Sequence, residues 1–312
     1  MDTVNEELFG VDPKIEKSIQ FAKNISISKA PILIVGEIGV GKKSLAKYIH
    51  ANSNRVDGEF KLVDCALDPM EVEKVILGHR YEDTGRYQKG ILELANGGTV
   101  VLSNIDALEE VFQKKLHKIF NELEDYDIDI RIVATTTKNI SKLVGSGRFY
   151  RGLYTYISSN SIYLSPLRER TLDIEMMAKH YISEYNIANG KAITINEEAL
   201  RKITGHYWTH NVQELKTVIE ASLNNCETDT LTDDDLTIGE KRAVMMIAED
   251  DSEGIRLMSL KEAEKLLIKK ALIHTSENRT QAAKILGVSI RTLRNKINEY
   301  RNGGSAYFIN LR

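Results

Sequence analysis

The segment Gly36-Glu-Ile-Gly39-Val-Gly41-Lys42-Lys43-Ser44 restricts the folds open to this chain more than any other. It follows a short apolar run, Pro31-Ile-Leu-Ile-Val35, that reads as a buried strand, and the residues from Ser44 to Ala51 read as a helix. In that strand, loop and helix context, G-x-x-x-x-G-K is a phosphate-binding loop. Its glycines let backbone N–H groups turn inward around phosphate oxygens, and the helix N-terminus adds its positive end. Lys42 is placed to reach the β- and γ-phosphates. The expected nucleotide-binding residues are therefore Gly36, Gly39, Gly41, Lys42, Lys43 and Ser44, with ATP or ADP as ligand. Lys43 stands where the general motif has a Mg²⁺-binding Ser or Thr, and Ser44 comes one position late, so an impaired Mg²⁺ site is expected.

Two further buried-strand candidates, Thr99-Val-Val-Leu102 and Ile130-Arg-Ile-Val-Ala134, are separated by helical patterns such as Glu109 to Leu123. This β-α alternation predicts an α/β fold with a mostly parallel sheet covered by helices. From about Asp173 the pattern becomes helical. A chain of 312 residues exceeds what one compact domain usually needs, so more than one domain is expected. No apolar run approaches the ~18 residues that span a bilayer, so neither membrane spans nor a membrane partner is expected. Cys65 and Cys226 lack metal-ligand spacing and are too few for a disulfide framework. Together these features predict a cytoplasmic protein. His206 and His210, four apart, could share a helix face and are read as packing residues rather than as a metal pair.

Charge is distributed unevenly. Residues 257–312 hold eleven Lys or Arg against four Asp or Glu, and the remainder carries a net charge of −10. Between Glu227 and Glu253 ten acids are opposed by Lys241 and Arg242 alone. This stretch predicts a hydrated acidic linker ahead of a small basic module.

In that module Leu260, Ala263, Leu266, Leu267, Ala271 and Leu272 recur at helical steps and give one apolar face. Thr280-Gln-Ala-Ala-Lys-Ile-Leu286 reads as a short helix capped by Thr280, Gly287 as its turn, and Ser289 as the cap of a helix running to Tyr300. Ala282, Ala283, Ile285, Leu286, Val288, Leu293 and Ile297 are expected between the helices. That leaves Ile290, Arg291, Arg294 and Asn295 facing outward to read double-stranded DNA. Arg279, Lys284, Lys296 and Arg301 are expected on phosphates.

Four ordered landmarks then give a family resemblance. They are Gly36 to Lys42, Leu92-Glu-Leu-Ala-Asn-Gly-Gly-Thr99, Leu164-Ser-Pro-Leu-Arg-Glu-Arg170 with Asp173-Ile174, and Trp208-Thr-His-Asn-Val-Gln-Glu-Leu215. With the C-terminal helices, which are similar to those of the nucleoid protein Fis, they resemble the bacterial enhancer-binding proteins, the AAA+ activators of sigma-54 RNA polymerase. The resemblance implies an AAA+ P-loop α/β subdomain over 1–170, a helical lid over 171–228, a linker over 229–256 and a small all-α helix-turn-helix domain over 257–312. It also implies a homodimer through the C-terminal domain, higher oligomers through the AAA+ domain, RNA polymerase or an intact relative as partner, and association with the nucleoid. No receiver domain is expected ahead of the AAA+ region.

Several positions depart from the family. Its Asp-Glu pair after the second motif strand is replaced by Ser103 and Asn104, its two arginine fingers by Tyr150 and Tyr156, its first sensor Asn by Thr137, and its lid Arg by Gln213. An arginine finger alone is worth roughly 10³ to 10⁵ in rate. The expectation is therefore a degenerate, hydrolysis-deficient domain that is not an enzyme. The sigma-54 loop is altered as well: Gly78-His-Arg-Tyr-Glu-Asp-Thr-Gly85 keeps only Thr84-Gly85 of the family's motif, which predicts sigma-54 independence.

Overall fold

The computed structural model describes residues 10–81, 83–226, 228–236, 238, 264–265, 267–269, 271–272, 275 and 278–302. The chain divides into two units, 1–242 and 243–312.

The first unit begins with α1 (Pro13–Ser26), whose cap Asp12 accepts from the Lys14 N–H. Then come β1 (Ile32–Val35), α2 (Lys42–Ala51), β2 (Phe60–Asp64), α3 (Pro69–Leu77), β3 (Gly78–Arg80), β4 (Tyr87–Lys89), α4 (Ile91–Leu94), β5 (Thr99–Ser103), α5 (Glu110–Asn121), β6 (Arg131–Thr136), α6 (Ile140–Gly145), α7 (Arg151–Ile157) and β7 (Asn160–Tyr163). The main sheet has the order β2-β5-β6-β1-β7 and is parallel throughout. Both faces of its inner strands are covered, which is why β1 and β5 are largely apolar runs, while the edge strands β2 and β7 mix polar and apolar residues. Alternate residues serve opposite cores: Leu33, Val100, Leu102 and Ile132 pack on one side, and Ile32, Ile34, Val101 and Val133 on the other.

A lid follows, made of α8 (Thr171–Asn189), β8 (Thr194–Ile195), α9 (Glu197–Gly205), α10 (Asn211–Asn225) and β9 (Thr230–Leu231). The lid core holds Ile174, Trp208, Leu215 and Ile219, and it also takes in Leu231 and Leu236. The first residues of the expected linker are thus part of the lid. Pairing of β8 with β9 carries the chain back over α9, so Leu231 is buried despite its acidic neighbours. Most of the remaining linker lies outside the described residues.

In the second unit, α11 (Arg279–Ile285) and α12 (Ile290–Asn302) pack with Ile268, Ala271 and Leu272 around Ala282, Ala283, Leu293, Ile297 and Tyr300. Gly287 takes φ +66° at the turn, in the region that favours glycine. Among the described residues, no helix is long and apolar enough to cross a membrane.

Candidate nucleotide site and DNA-reading helix

The loop between β1 and α2 has the geometry the motif requires. Gly39 (φ +71°) and Gly41 (φ +107°) are left-handed, and α2 starts at Gly41 without a side-chain cap, leaving its first N–H groups available to an anion. A Cβ on Gly39 would lie 2.0 Å from the His210 carbonyl oxygen, so no other residue fits. Lys42 Nζ donates to the carbonyls of Gly36 (2.8 Å) and Glu37 (2.7 Å). Burial lowers its pKa to about 8, against the opposing pull of Asp106. Lys43 is exposed and Ser44 half-buried.

The lid closes directly onto this loop. Arg168 makes a two-pronged pair with Glu37 at 2.7 and 2.6 Å, and this pairing, with help from Asn211, holds the Glu37 carboxyl below its usual range. Buried Asn211 donates to the Ile38 carbonyl (2.8 Å) and accepts from the Leu167 N–H (2.7 Å). Gln213 lies over the loop, its backbone N–H 3.3 Å from the Gly39 oxygen. The buried pair Arg170 and Asp173 anchors the same corner: Arg170 donates to the Val40 carbonyl, and Asp173 accepts from the N–H groups of Val11 and Asp12.

The edge formed by β5 and β6 differs from expectation in detail. Ser103 is buried at the end of β5, and Asn104, at φ +54°, donates to Asp64 Oδ1 at 2.8 Å. Thr137 is exposed, whereas buried Thr136, the last residue of β6, donates to Asp106 Oδ1 at 2.5 Å. Lys138 pairs with the other oxygen of Asp106 at 3.1 Å. Sequence reasoning missed Asp106 because it lies three residues beyond the expected acid position and its partners come from another strand. Tyr150 and Tyr156 pack against α5, Tyr150 edge-on to His117 and Tyr156 stacked on Phe120 at 5.4 Å.

His206 and His210 both approach Glu214, at 3.5 and 3.9 Å, and His206 packs edge-on against Trp208. Among the described residues no group of His, Cys, Asp and Glu could hold a metal ion. Cys65 and Cys226 are buried free thiols, and burial pushes Cys65 up to about 12.

On the DNA-reading element, Ser289 Oγ accepts from the Thr292 N–H at 3.0 Å, capping α12 as expected. Ile290, Arg294 and Asn295 are exposed. Two expectations change. Asn278, not Thr280, caps α11, accepting from the N–H groups of Thr280 and Gln281. Val288 is exposed rather than in the core. Lys296 also donates to Glu264 at 2.9 Å. Arg279 is half-buried. The side chains of Lys284, Ile285, Arg291 and Arg301 lie outside the described residues.

A P-loop sheet with a helical lid, followed in the same chain by a helix-turn-helix, defines an AAA+ regulator that binds DNA. Residues 8–163 match the sigma-54 interaction domain, 168–242 the AAA+ ATPase lid domain, and 259–300 the Fis family of bacterial regulatory proteins. The chain belongs to the family of sigma-54-dependent transcriptional regulators. It is 32% identical to the transcriptional regulatory protein FlbD of Caulobacter vibrioides over 94% of this chain and 70% of FlbD. It is also 32% identical to the regulatory protein AtoC of Escherichia coli K12, over 88% of this chain and 64% of AtoC. The crystal structure of NtrX from Brucella abortus in complex with ATP shares the fold, with a TM-score of 0.66 and 22% identity over 94% of this chain and 69% of NtrX.

These matches overturn the expectation that the chain is not an enzyme. It belongs to an ATPase family, with the sigma-54 interaction domain matched over residues 8–163 and the AAA+ ATPase lid over 168–242. Replacement of residue types at Ser103, Asn104, Thr137, Tyr150, Tyr156 and Gln213 does not establish loss of turnover, and Asp106 supplies a carboxylate at the same sheet edge.

Proposed function

We propose that this chain is a site-specific, DNA-binding transcription regulator that binds ATP or ADP between its phosphate loop and lid and hydrolyses ATP with a rearranged set of side chains. The observation that carries this reading is the phosphate cradle itself: left-handed Gly39 and Gly41, the uncapped start of α2, and Lys42 held at the loop. Capture of NtrX with ATP and with ADP supports the same ligand class. A Mg²⁺ ion accompanying ATP would meet neutral Ser103 and Asn104 here, so it is held chiefly by the phosphates and more weakly than by a carboxylate. Phosphate release by the full chain, compared with Lys42→Ala, tests the reading; equal rates would refute hydrolysis.

The helix-turn-helix reads the major groove through Arg291, Arg294 and Asn295, as a dimer on a pseudo-palindromic site. Replacing both Arg291 and Arg294 by Ala removes site selection, with a loss of about 1–3 kcal/mol for each bidentate contact; an unchanged footprint would refute this. Higher oligomers form through the AAA+ unit, and the protein acts in the cytoplasm on nucleoid DNA.

The hairpin of β3 and β4 supports action independent of sigma-54. Its turn is polar: Tyr81 donates to Gln88, and Gly85 closes the turn with its N–H on the Tyr81 carbonyl. RNA polymerase, or an intact relative, is then engaged by a different contact. Transcription reconstituted with and without sigma-54 tests this, and strict dependence on sigma-54 would overturn it.

A further inference from the structure

We propose that Asp106 is the catalytic acid-base residue of the nucleotide site, orienting the attacking water and taking its proton in place of the acids absent at Ser103 and Asn104. The inference rests on the ATP-hydrolysing reading above. Its ground is the position of the carboxylate on the sheet. Thr136 donates from its hydroxyl to Asp106 and accepts, through its backbone oxygen, from the N–H of Gly36, the first residue of the phosphate loop, at 3.1 Å. Asp106 is therefore one residue away from the loop, over β6 and next to β1. Asp64, the other acid at this edge, stands on β2, three strands from β1, or about 14 Å at the usual strand spacing.

Asp106 is also prepared for the role. Its side chain is 5% exposed, yet it is held by Thr136 and Lys138 on opposite oxygens, which fixes its orientation. Carboxylate oxygens accept more than one hydrogen bond, so both can still receive a water. An open groove of about 790 Å³, lined by Asp106, Glu109, Glu110, Lys138, Lys142 and Arg148, adjoins the carboxylate on the side away from the phosphate loop and gives it access to solvent. Its charge also opposes the fall in the Lys42 pKa, as expected of neighbours across a phosphate site. In the step, the water oxygen bonds to the γ-phosphorus, the bond from that phosphorus to the bridging oxygen breaks with its electron pair leaving on ADP, and the water proton passes to Asp106 and then to solvent.

The test compares phosphate release and ATP affinity for the full chain, Asp106→Asn, Thr136→Val and Lys42→Ala, with melting curves to check folding. Asp106→Asn is expected to lower kcat by about a hundredfold or more while the Kd for ATP stays within about threefold. Thr136→Val, which frees the carboxylate to rotate, is expected to lower kcat about tenfold with KM unmoved, and it decides the matter if Asp106→Asn does not fold. If the unaltered chain outpaces Lys42→Ala but folded Asp106→Asn keeps its kcat, or Asp106→Asn does not fold and Thr136→Val keeps its kcat, Asp106 is not the residue and hydrolysis stands. If the unaltered chain is no faster than Lys42→Ala, both readings fall.

Discussion

The two sides of the nucleotide site carry the same sheet edge but were built under different constraints. On the loop side, residue types and geometry agree: glycines occupy left-handed positions and Glu37 is clamped by Arg168 and Asn211. On the β5 side, the family's residue types are gone, yet an acid, Asp106, reaches the edge from a short 3-10 turn, Ile105–Ala107. Backbone geometry tolerates few substitutions, because a Cβ on Gly39 has no room. Side-chain chemistry can be moved by a few residues when neighbouring strands supply new partners.

Lys42→Ala should have the largest effect on the loop side, lowering ATP affinity by about ten- to a hundredfold through loss of charge-assisted hydrogen bonds, measured by calorimetry. A pH series sharpens the same point. Lys42 titrates at about 8 without ligand, so binding phosphate above that pH requires uptake of a proton. ATP affinity is expected to fall about tenfold from about pH 7 to about pH 9; a flat profile would place the charge elsewhere. For folding alone the sign is opposite, because the unfolded lysine binds more protons between about 8 and its ordinary value, so this group's contribution rises with pH there.

On the β5 side, Asn104→Asp sets a second carboxylate against Asp64, replacing a 2.8 Å hydrogen bond with repulsion. The expected loss is about 1–3 kcal/mol at neutral pH, recovered in part at low pH as the carboxyls protonate, and seen as a lower Tm that recovers on acidification. Arg168→Ala should have the smallest effect, about 1 kcal/mol of lid docking, because the clamp is partly exposed. Limited proteolysis of the lid would register it, and an unchanged lid would show that Asn211 carries the closure.

Much of the fold was legible in the residues. The runs over residues 31–35 and 130–134 declare buried strands, found as β1 and β6, and the glycine pattern between β1 and α2 declares the phosphate loop. Less was legible where partners are distant in sequence. Arg131 is a charged residue within a buried strand, and only the fold shows that it donates to the carbonyls of Ile25 and Ser26 at the end of α1; burial lowers its pKa to about 10. Thr137 stands where the family has its sensor Asn and is exposed, and the pairing of its buried neighbour Thr136 with Asp106 shows only in the fold. Leu231 and Leu236 sit among acids and read as linker until β8 meets β9.

The sequence alone determined the phosphate loop, the parallel sheet, the helical character beyond Asp173 and the C-terminal helices, because each depends on local backbone freedom and on the period of apolar residues. Only the tertiary structure decided which acid pairs with Thr136, where the lid ends and which cations are already paired. Those outcomes depend on contacts between residues far apart in the chain, and such contacts exist only once the sheet has brought its strand ends together.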